Sequence, residues 1–395
     1  MLANFLHVAR ECSWSAVWFW ALCLIALVWL RRHLALNRAG DEKILTPTDA
    51  QGAGPLPRLS VLVAGKDEEA NIERCLTGLL AQQYPDFEVI AVDDRSGDRT
   101  GEILDRLASR DPRVKALHVR ALPPDWGGKS HAMHVGVQHA TGEFLCFTDA
   151  DCSFHAHELL ASAVRYAQSE HGDFLSVLPD LEAHTFWERV VQPPAGAIMV
   201  FWFPPEKVNS PRSPRAYANG AFMLLSRAAY ERLGGHTAVK AVLNEDMHFA
   251  RQAKRAGLRL RVIRGGGMYS VRMYAGLRQI WNGWTRIFYG CFGTWPRLIV
   301  NSIFLSVFSL LAWISLILSP LAGAPGPAIA AAATLTIVAQ QTVLWRFYRL
   351  CAMPAPLALT YPIGAGLCLA MTFNAMTRLA GVETRWRGTA YQGGA

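Results

Sequence analysis

The chain has 395 residues, of which 51% are hydrophobic, and it carries a formal net charge of +8. This length allows one large domain or two ordinary ones. The eight cysteines are scattered and form no Cys-x-x-Cys pair, which argues against a disulfide framework or a zinc site and fits a reducing compartment. The positive charge suits anionic partners, but no basic run alternates with aromatic residues, so nucleic acid is not indicated as a partner.

The first apolar stretch lies near the N-terminus. Residues 12–30 contain no charged side chain, and they are just numerous enough to cross a bilayer as a helix. The stretch is too long and too rich in tryptophan for a typical signal peptide. Arg31, Arg32 and Arg38 follow it, and basic residues mark the cytoplasmic end of a membrane span. We therefore predict a retained membrane anchor that is followed by a cytoplasmic domain.

From residue 58 onward, the pattern alternates between strand and helix. Apolar runs at 59–64, 87–92, 114–119 and 144–147 are typical of strands, and the segments 72–83, 101–110 and 129–140 are typical of helices. This alternation predicts an α/β fold with a mostly parallel sheet and helices on both faces.

Acidic side chains follow three of these predicted strands. They are Asp67 and Glu68, Asp93 and Asp94, and Asp149 and Asp151. The carboxyl ends of parallel strands meet at one edge of the sheet, where ligands bind in open α/β folds. Asp149 and Asp151 are one residue apart at a strand end, so their side chains should point the same way. Such a carboxylate pair could hold Mg2+ or Mn2+.

A dinucleotide-binding fold is the alternative for this part of the chain. That fold needs Gly-x-Gly-x-x-Gly after the first strand, whereas this chain has Gly65-Lys66-Asp67 there. This argues against a dinucleotide-binding fold, whereas three acidic strand ends along one crevice still indicate a site.

The second half of the domain is less regular. Residues 193–214 are rich in proline and aromatic residues, 219–226 read as a strand, and 259–263 read as an edge strand. A helix is predicted from Met247 onward, with Asn244 as its cap and with Glu245 and Asp246 in its first turn.

Two further apolar regions follow the domain. Residues 298–345 contain no charged residue and are broken near 320–327, which predicts two membrane spans joined by a tight turn. Residues 351–377 form a third uncharged stretch. Three crossings would place the basic tail outside the cell, against the positive-inside rule. The basic residues of the tail are Arg378, Arg385 and Arg387. Either the last stretch is re-entrant or interfacial, or the positive-inside rule fails here.

The predicted division of the chain has five parts. They are an anchor at 1–31, a linker at 32–57, a domain at 58–295, a membrane region at 296–377 and a tail at 378–395.

The order of short motifs resembles that of a known family. The motifs are residues 61–72, 92–100, Gly128-Lys129, 148–151, Gly234-Gly235 and Asn244-Glu245-Asp246. Together they are similar to the family 2 glycosyltransferases, which have the GT-A fold, and the resemblance runs from about residue 58 to 290. The flanking membrane segments narrow it to the membrane-anchored branch that includes hopanoid-associated, carotenoid and ceramide glucosyltransferase-like enzymes.

The resemblance implies a role for each acidic cluster. The nucleobase and ribose end of the donor pocket would be formed by Asp67, Glu68, Glu69, Asp93 and Asp94. Lys129 would lie against the base or the diphosphate. Asp149 and Asp151 would bind the metal and, through it, the donor diphosphate. Asp246 would be the catalytic base.

The chain departs from the family pattern at three places. Asp67 stands where asparagine is usual, and Arg95-Ser96 stands where Gly-Ser is usual. The Gln-x-x-Arg-Trp signature of processive and ceramide-type enzymes is absent. Its counterpart at the acceptor site would be Gln279, Trp281, Trp284 and Arg286.

The resemblance implies an inverting transfer of sugar from a nucleotide diphosphate sugar, expected to be a UDP-sugar, to a lipid acceptor. The reaction would use Mg2+ or Mn2+ at the cytoplasmic face of the inner or plasma membrane. A processive polysaccharide synthase is disfavoured by the missing signature and the few spans. A non-catalytic membrane scaffold is disfavoured because Asp149, Asp151 and Asp246 are all present. Glu245 remains open between a helix-dipole role and the role of base.

Overall fold

The computed structural model describes residues 2–41, 43–52, 54–351, 353–382, 384–386 and 389–391, with side chains described at 14–37, 43–52, 54–351 and 353–382. Arg387 lies outside the described residues, and the side chains of Arg38 and Arg385 lie outside the described side chains.

The strands are β1 (Leu59–Gly65), β2 (Phe87–Asp94), β3 (Val114–Val119), β4 (Phe144–Asp149), β5 (Cys152–Phe154), β6 (Phe174–Leu178), β7 (Asp180–Leu181), β8 (Phe222–Ser226), β9 (Leu260–Arg264), β10 (Tyr269–Val271), β11 (Thr384–Trp386) and β12 (Thr389–Tyr391). The helices are α1 (Leu2–Asp41), α2 (Ile72–Leu80), α3 (Thr100–Arg110), α4 (Gly128–Gln138), α5 (Leu159–Ser169), α6 (Phe186–Trp202), α7 (Pro205–Val208), α8 (Arg227–Arg232), α9 (Glu245–Arg255), α10 (Leu277–Phe292), α11 (Trp295–Phe304), α12 (Leu311–Leu318), α13 (Gly326–Leu350) and α14 (Tyr361–Leu379).

Within the described residues, the domain is built on a seven-stranded sheet in the order β3-β2-β1-β4-β8-β6-β9. The first four strands in this order are parallel, as predicted, whereas β8 runs antiparallel between β4 and β6. In the β1 register, Gly65 lies opposite Asp93 and Ala64 lies opposite Asp149. The carboxyl ends that carry the predicted acidic residues therefore meet at one edge of the sheet.

Apolar burial explains why these segments form a sheet covered by helices. Six of the seven β1 residues are buried, which is typical of a strand with helices on both faces. Helix α2 turns one face to the sheet and buries Ile72, Cys75, Leu76 and Leu79, at the spacing of an amphipathic helix. β9 forms the edge of the sheet, and this confirms the predicted edge strand.

The irregular, proline-rich segment predicted after residue 193 is largely helical. Helix α6 begins with a capping box in which Thr185 and Glu188 each satisfy the other's backbone N–H. Pro193 and Pro194 lie inside the helix, where a proline lacks the N–H that would bond the carbonyl four residues earlier. The Val190 carbonyl, which would normally pair with residue 194, packs against Gly364 of α14. The partner helix therefore accommodates the irregularity that the prolines introduce.

Among the residues that the structure describes, four helical stretches are long and apolar enough to cross a membrane. They are Trp14–Asn37, Trp295–Ala322, Gly326–Leu350 and Ala355–Leu379. In the second stretch, a π-helical segment, Leu305–Leu310, joins α11 to α12. The first stretch lies inside the longer helix α1.

The candidate membrane helices share an apolar core with the domain. One buried cluster combines Val190 and Ile198 of α6, Phe288 of α10, Leu298 of α11 and Met371 of α14. The Arg32 guanidinium of α1 lies 5.2–5.7 Å from the ring centroids of Trp29, Phe201 and Phe304, which is within cation–π range. Helix α1 is thereby held against α6 and α11.

Candidate active site

The candidate site is centred on Lys129, in the first turn of α4. Its Nζ lies 2.7 Å from Oδ1 of Asp149, the last residue of β4. The same Nζ lies 2.7 Å from Oε1 of Glu245, the first residue of α9. One ammonium group thus joins two carboxylates that are almost one hundred residues apart in the chain.

Asp246 lies beside this ion-pair chain. Its Oδ2 accepts a hydrogen bond from the Gly220 N–H at 3.0 Å, and its Oδ1 accepts one from the Met247 N–H at 2.7 Å. Gly220 lies against both groups, because a Cβ at this position would lie 3.0 Å from Lys129 Nζ and 3.5 Å from Asp246 Oδ2. The missing side chain therefore lets the cation and the predicted base approach the same point of the backbone.

The surroundings shift the proton affinities of the two central groups. Burial lowers the pKa of Lys129, but the charges of Asp149 and Glu245 outweigh burial and raise the pKa above its usual value, so the ammonium stays charged. Burial, followed by the nearby charge of Glu245, raises the pKa of Asp246 to about 6. An aspartate with this pKa is better matched to accepting a proton near neutral pH than an ordinary one.

Asp151 lies in the turn between β4 and β5 and is partly buried, as is Asp149. Among the described residues, no three His, Cys, Asp or Glu side chains form a group that could hold a metal ion. Two carboxylates nevertheless suit Mg2+ or Mn2+, because such ions commonly complete their shell with water and substrate phosphates. The donor set therefore fits an ion that binds together with a diphosphate.

The first acidic cluster is tied to the loop after β2. The Asp67 N–H donates to Ser96 Oγ at 3.0 Å, and Asp67 Oδ1 accepts from the Gly97 N–H at 2.8 Å. Asp67 has φ of 56°, which is the left-handed region that asparagine, the family's usual residue, tolerates well. The neighbouring Glu68 and Glu69 N–H groups donate to Thr100 Oγ1 and Asp98 Oδ2. These bonds fix the loop that would border the nucleotide.

The side chains of the second acidic cluster, Asp93 and Asp94, also form ion pairs and hydrogen bonds. Asp94 pairs with Arg95 at 2.8 Å, and a Cβ on Gly128 would clash with both side chains. Asp93 accepts from the Ser96 N–H at 3.1 Å and lies 3.3 Å from His118 Nδ1. The hydrogen bond to Asp105 is the main reason that the pKa of His118 is raised; burial opposes it and Asp93 assists it.

The predicted acceptor residues all lie on α10, on the side of the domain that packs against α14. Trp284 is buried, Trp281 and Arg286 are partly buried, and Gln279 is exposed, with its Oε1 accepting from the Ala275 N–H. The structure therefore brings together Lys129, Asp149, Glu245 and Asp246. The four predicted acceptor residues lie apart from them, on helix α10.

Asn244 occupies the N-cap position of α9, as predicted, but its side chain does not cap the helix. Its side chain makes no capping hydrogen bond; its Nδ2 instead donates to Cys291 Sγ at 3.6 Å. The Asn244 amide occupies the space where a side chain of Gly290 would lie. Close packing between α9 and α10 therefore outweighs the local preference for a cap.

Two residues of the site were missed from the sequence. Gly220 was not singled out, because a glycine before a strand has many ordinary explanations. His236 is buried, and its Nδ1 lies 2.9 Å from the Tyr230 hydroxyl. Burial lowers the pKa of His236 to about 3, with Lys129 contributing, so the imidazole is neutral. The sequence feature that pointed to His236 is the preceding pair Gly234-Gly235. Both glycines have positive φ, and a Cβ on Gly235 would meet the Tyr230 ring.

Models of two related families match the chain. The model of glycosyl transferase family 2 matches residues 60–234, and that of glycosyl transferase family group 2 matches residues 149–377, which is more than half of the chain. The protein belongs to the family 2 glycosyltransferases, and its domain has the GT-A fold.

Curated relatives support this assignment. The 4,4'-diaponeurosporenoate glycosyltransferase of Staphylococcus haemolyticus is 25% identical over 245 residues, which are 61% of this chain and 64% of that protein. The beta-monoglucosyldiacylglycerol synthase of Synechocystis is 33% identical over 187 residues, which are 46% of this chain and 37% of that protein. The chain thus spans less than two thirds of the length of either relative.

A solved structure shares the fold over most of the chain. It is the mannosyltransferase PcManGT from Pyrobaculum calidifontis in complex with GDP-Man and Mn2+. The TM-score is 0.53 at 20% identity, and the match covers 90% of this chain and 99% of that one.

Proposed function

We propose that the protein transfers a sugar from a nucleotide diphosphate sugar to a hydroxyl of a lipid acceptor, with inversion at the anomeric carbon. The observation that carries this proposal is the junction of Asp149, Lys129 and Glu245, with Asp246 beside it and a raised pKa. A cation for the diphosphate and a carboxylate suited to accept a proton are thus only a few ångströms apart across Gly220.

The proposed reaction is a single displacement. The acceptor oxygen forms a bond to the anomeric carbon while the bond from that carbon to the phosphate oxygen breaks, and its electron pair leaves with the diphosphate. The acceptor proton moves to Asp246, which is a general base in this scheme. Because one displacement occurs on the opposite face, an α-linked donor gives a β-linked product.

Lys129 would neutralise part of the charge that develops on the leaving diphosphate. Asp149 and Asp151 would hold Mg2+ or Mn2+, which acts as a Lewis acid on the same leaving group when bound. Asp67, Glu68, Glu69, Asp93 and Asp94 would surround the nucleoside, which we take to be uridine.

A lipid acceptor is supported by two features. The names of two relatives refer to diaponeurosporenoate and to monoglucosyldiacylglycerol. The cluster around α10 also runs without interruption from Met247, next to Asp246, to the candidate membrane helices. The predicted base therefore lies on the side of the domain that is joined to these helices, and we place the acceptor site there, with Gln279, Trp281, Trp284 and Arg286.

We further propose that the protein is a multi-pass protein of the inner or plasma membrane with its sheet domain in the cytoplasm. The basic residues Arg31 and Arg32 at the domain end of the first candidate span support this orientation.

The proposal is tested with Asp246→Asn in the full-length protein. The variant keeps the size and the hydrogen bonding of the side chain but cannot accept the proton. Transfer of radiolabelled sugar from UDP-sugar to a membrane lipid extract should fall by about a hundredfold to ten-thousandfold, while UDP affinity by calorimetry stays unchanged. A wild-type protein that binds UDP but neither transfers nor hydrolyses the donor would contradict the proposal and favour a scaffold.

A further inference from the structure

Glu245 is the second carboxylate partner of Lys129. Its side chain is 8% exposed, and its Oε1 lies 2.7 Å from Lys129 Nζ, as does Asp149 Oδ1. The two neighbouring carboxylates of α9 thus have different surroundings. Glu245 faces a cation, whereas the two carboxylate oxygens of Asp246 accept hydrogen bonds from the backbone N–H groups of Gly220 and Met247.

We infer that Glu245 is a positioning residue that holds Lys129 in the site while the ammonium moves from Asp149 to the donor diphosphate. This inference rests on the proposed function. It concerns the binding of the donor, and it does not require an acceptor or a turnover.

The physical reason is competition for Asp149. A divalent ion and an ammonium on one carboxylate repel each other, and this repulsion is strong in a partly buried site. If Asp149 were its only acidic partner, Lys129 would lose its ion pair when the metal binds, and a buried charge without a partner is costly. With Glu245 at 2.7 Å, the ammonium keeps one charged partner throughout.

Gly220 lies against the same groups. A Cβ there would lie 3.0 Å from Lys129 Nζ and 3.7 Å from Glu245 Oε1, so a side chain at this position would press on the ammonium. Glycine therefore keeps the Lys129–Glu245 pair free of crowding from this side.

The test uses Glu245→Gln in the full-length, detergent-solubilised protein. Calorimetry measures the affinity for UDP in Mn2+, and electron paramagnetic resonance measures the affinity for Mn2+ without nucleotide. Both affinities should fall by about tenfold, the scale expected for losing a hydrogen bond to a charged group. Uridine, which has no phosphate, should bind as it does to the wild type. Glu231→Gln, an exposed site on α8, is the matched control and should change neither affinity.

A double-mutant cycle separates positioning from a general loss of negative charge. If Glu245 acts through Lys129, then Glu245→Gln should have no further effect on UDP affinity in a Lys129→Gln background. Additive losses would overturn the inference, and so would wild-type UDP affinity in Glu245→Gln.

Glu245→Asp is a control for misfolding of the glutamine variant. It retains a carboxylate and should keep UDP affinity within about threefold of the wild type, so a loss as large as that of Glu245→Gln would also overturn the inference. Failure of the wild type to bind UDP would instead remove the proposed function itself. The two kinds of failure are therefore distinguishable.

Discussion

The carboxyl group of Asp246, the proposed general base, has a pKa that makes a testable prediction about activity. Burial and the charge of Glu245 raise its pKa to about 6 from an ordinary value of 3.8. A general base works only when it is deprotonated, so kcat/KM should decline below about pH 6, by up to about tenfold for each pH unit. Initial rates between about pH 4.5 and 8, with UDP affinity measured at each pH, check this prediction. A profile that stays flat to about pH 4.5 would mean that another group accepts the proton.

Asp151 should matter for the metal and not for the nucleoside. Asp151→Ala leaves Asp149 as the only aspartate of the predicted pair, and one carboxylate is a weak site for Mg2+ or Mn2+. We expect the enhancement of UDP binding by Mn2+ to disappear, while uridine affinity is unchanged. Calorimetry with and without Mn2+ measures both quantities. An enhancement equal to that of the wild type would show that the ion binds elsewhere.

At the scale of elements, the contact between α6 and α14 depends on one small residue. A Cβ on Gly364 would clash with the Val190 carbonyl, whereas a Cβ on Gly366, on the same helix, meets nothing within 4 Å. Gly364→Ala should therefore destabilise the protein by about 1–3 kcal/mol, the usual cost of overpacking. Gly366→Ala should be neutral or slightly stabilising, because alanine favours the helix.

Thermal unfolding in detergent, followed by tryptophan fluorescence, compares the two variants. Equal midpoints for Gly364→Ala and Gly366→Ala would show that α6 and α14 do not pack as described.

The strands of the sheet and the helices beside them could largely be predicted from the sequence, whereas the tertiary contacts between them could not. The alternation of apolar runs and amphipathic segments predicts strands β1 to β4 and their parallel direction, because each pattern reflects local burial. Helix α6 was missed since its two prolines argue against a helix unless a partner such as Gly364 accommodates them. The Lys129–Glu245 pair and the Asn244–Gly290 packing depend on tertiary contacts, which a single amino-acid sequence does not reveal.

At the scale of the whole molecule, the orientation in the membrane can be tested with introduced cysteines. Ser169 is exposed on α5 of the domain, and Leu321 is 83% exposed at the end of the second candidate span, next to the turn that leads to the third. With the domain in the cytoplasm, an impermeant thiol reagent should label Leu321→Cys in intact cells but should label Ser169→Cys only after lysis. The unsubstituted chain gives the background. Labelling of Ser169→Cys in intact cells would reverse the orientation.

The apolar core shared by α6, α10, α11 and α14 also has a consequence for biosynthesis. The ribosome completes the whole sheet before it makes α14, yet α6 and α10 have no full packing partner until that last helix arrives. A chain that stops early would leave these aromatic faces open to chaperones and proteases. We therefore expect truncated products that lack α14 to be degraded and not to persist as fragments attached through α1. In this way, survival of the chain would depend on completion of its last candidate span.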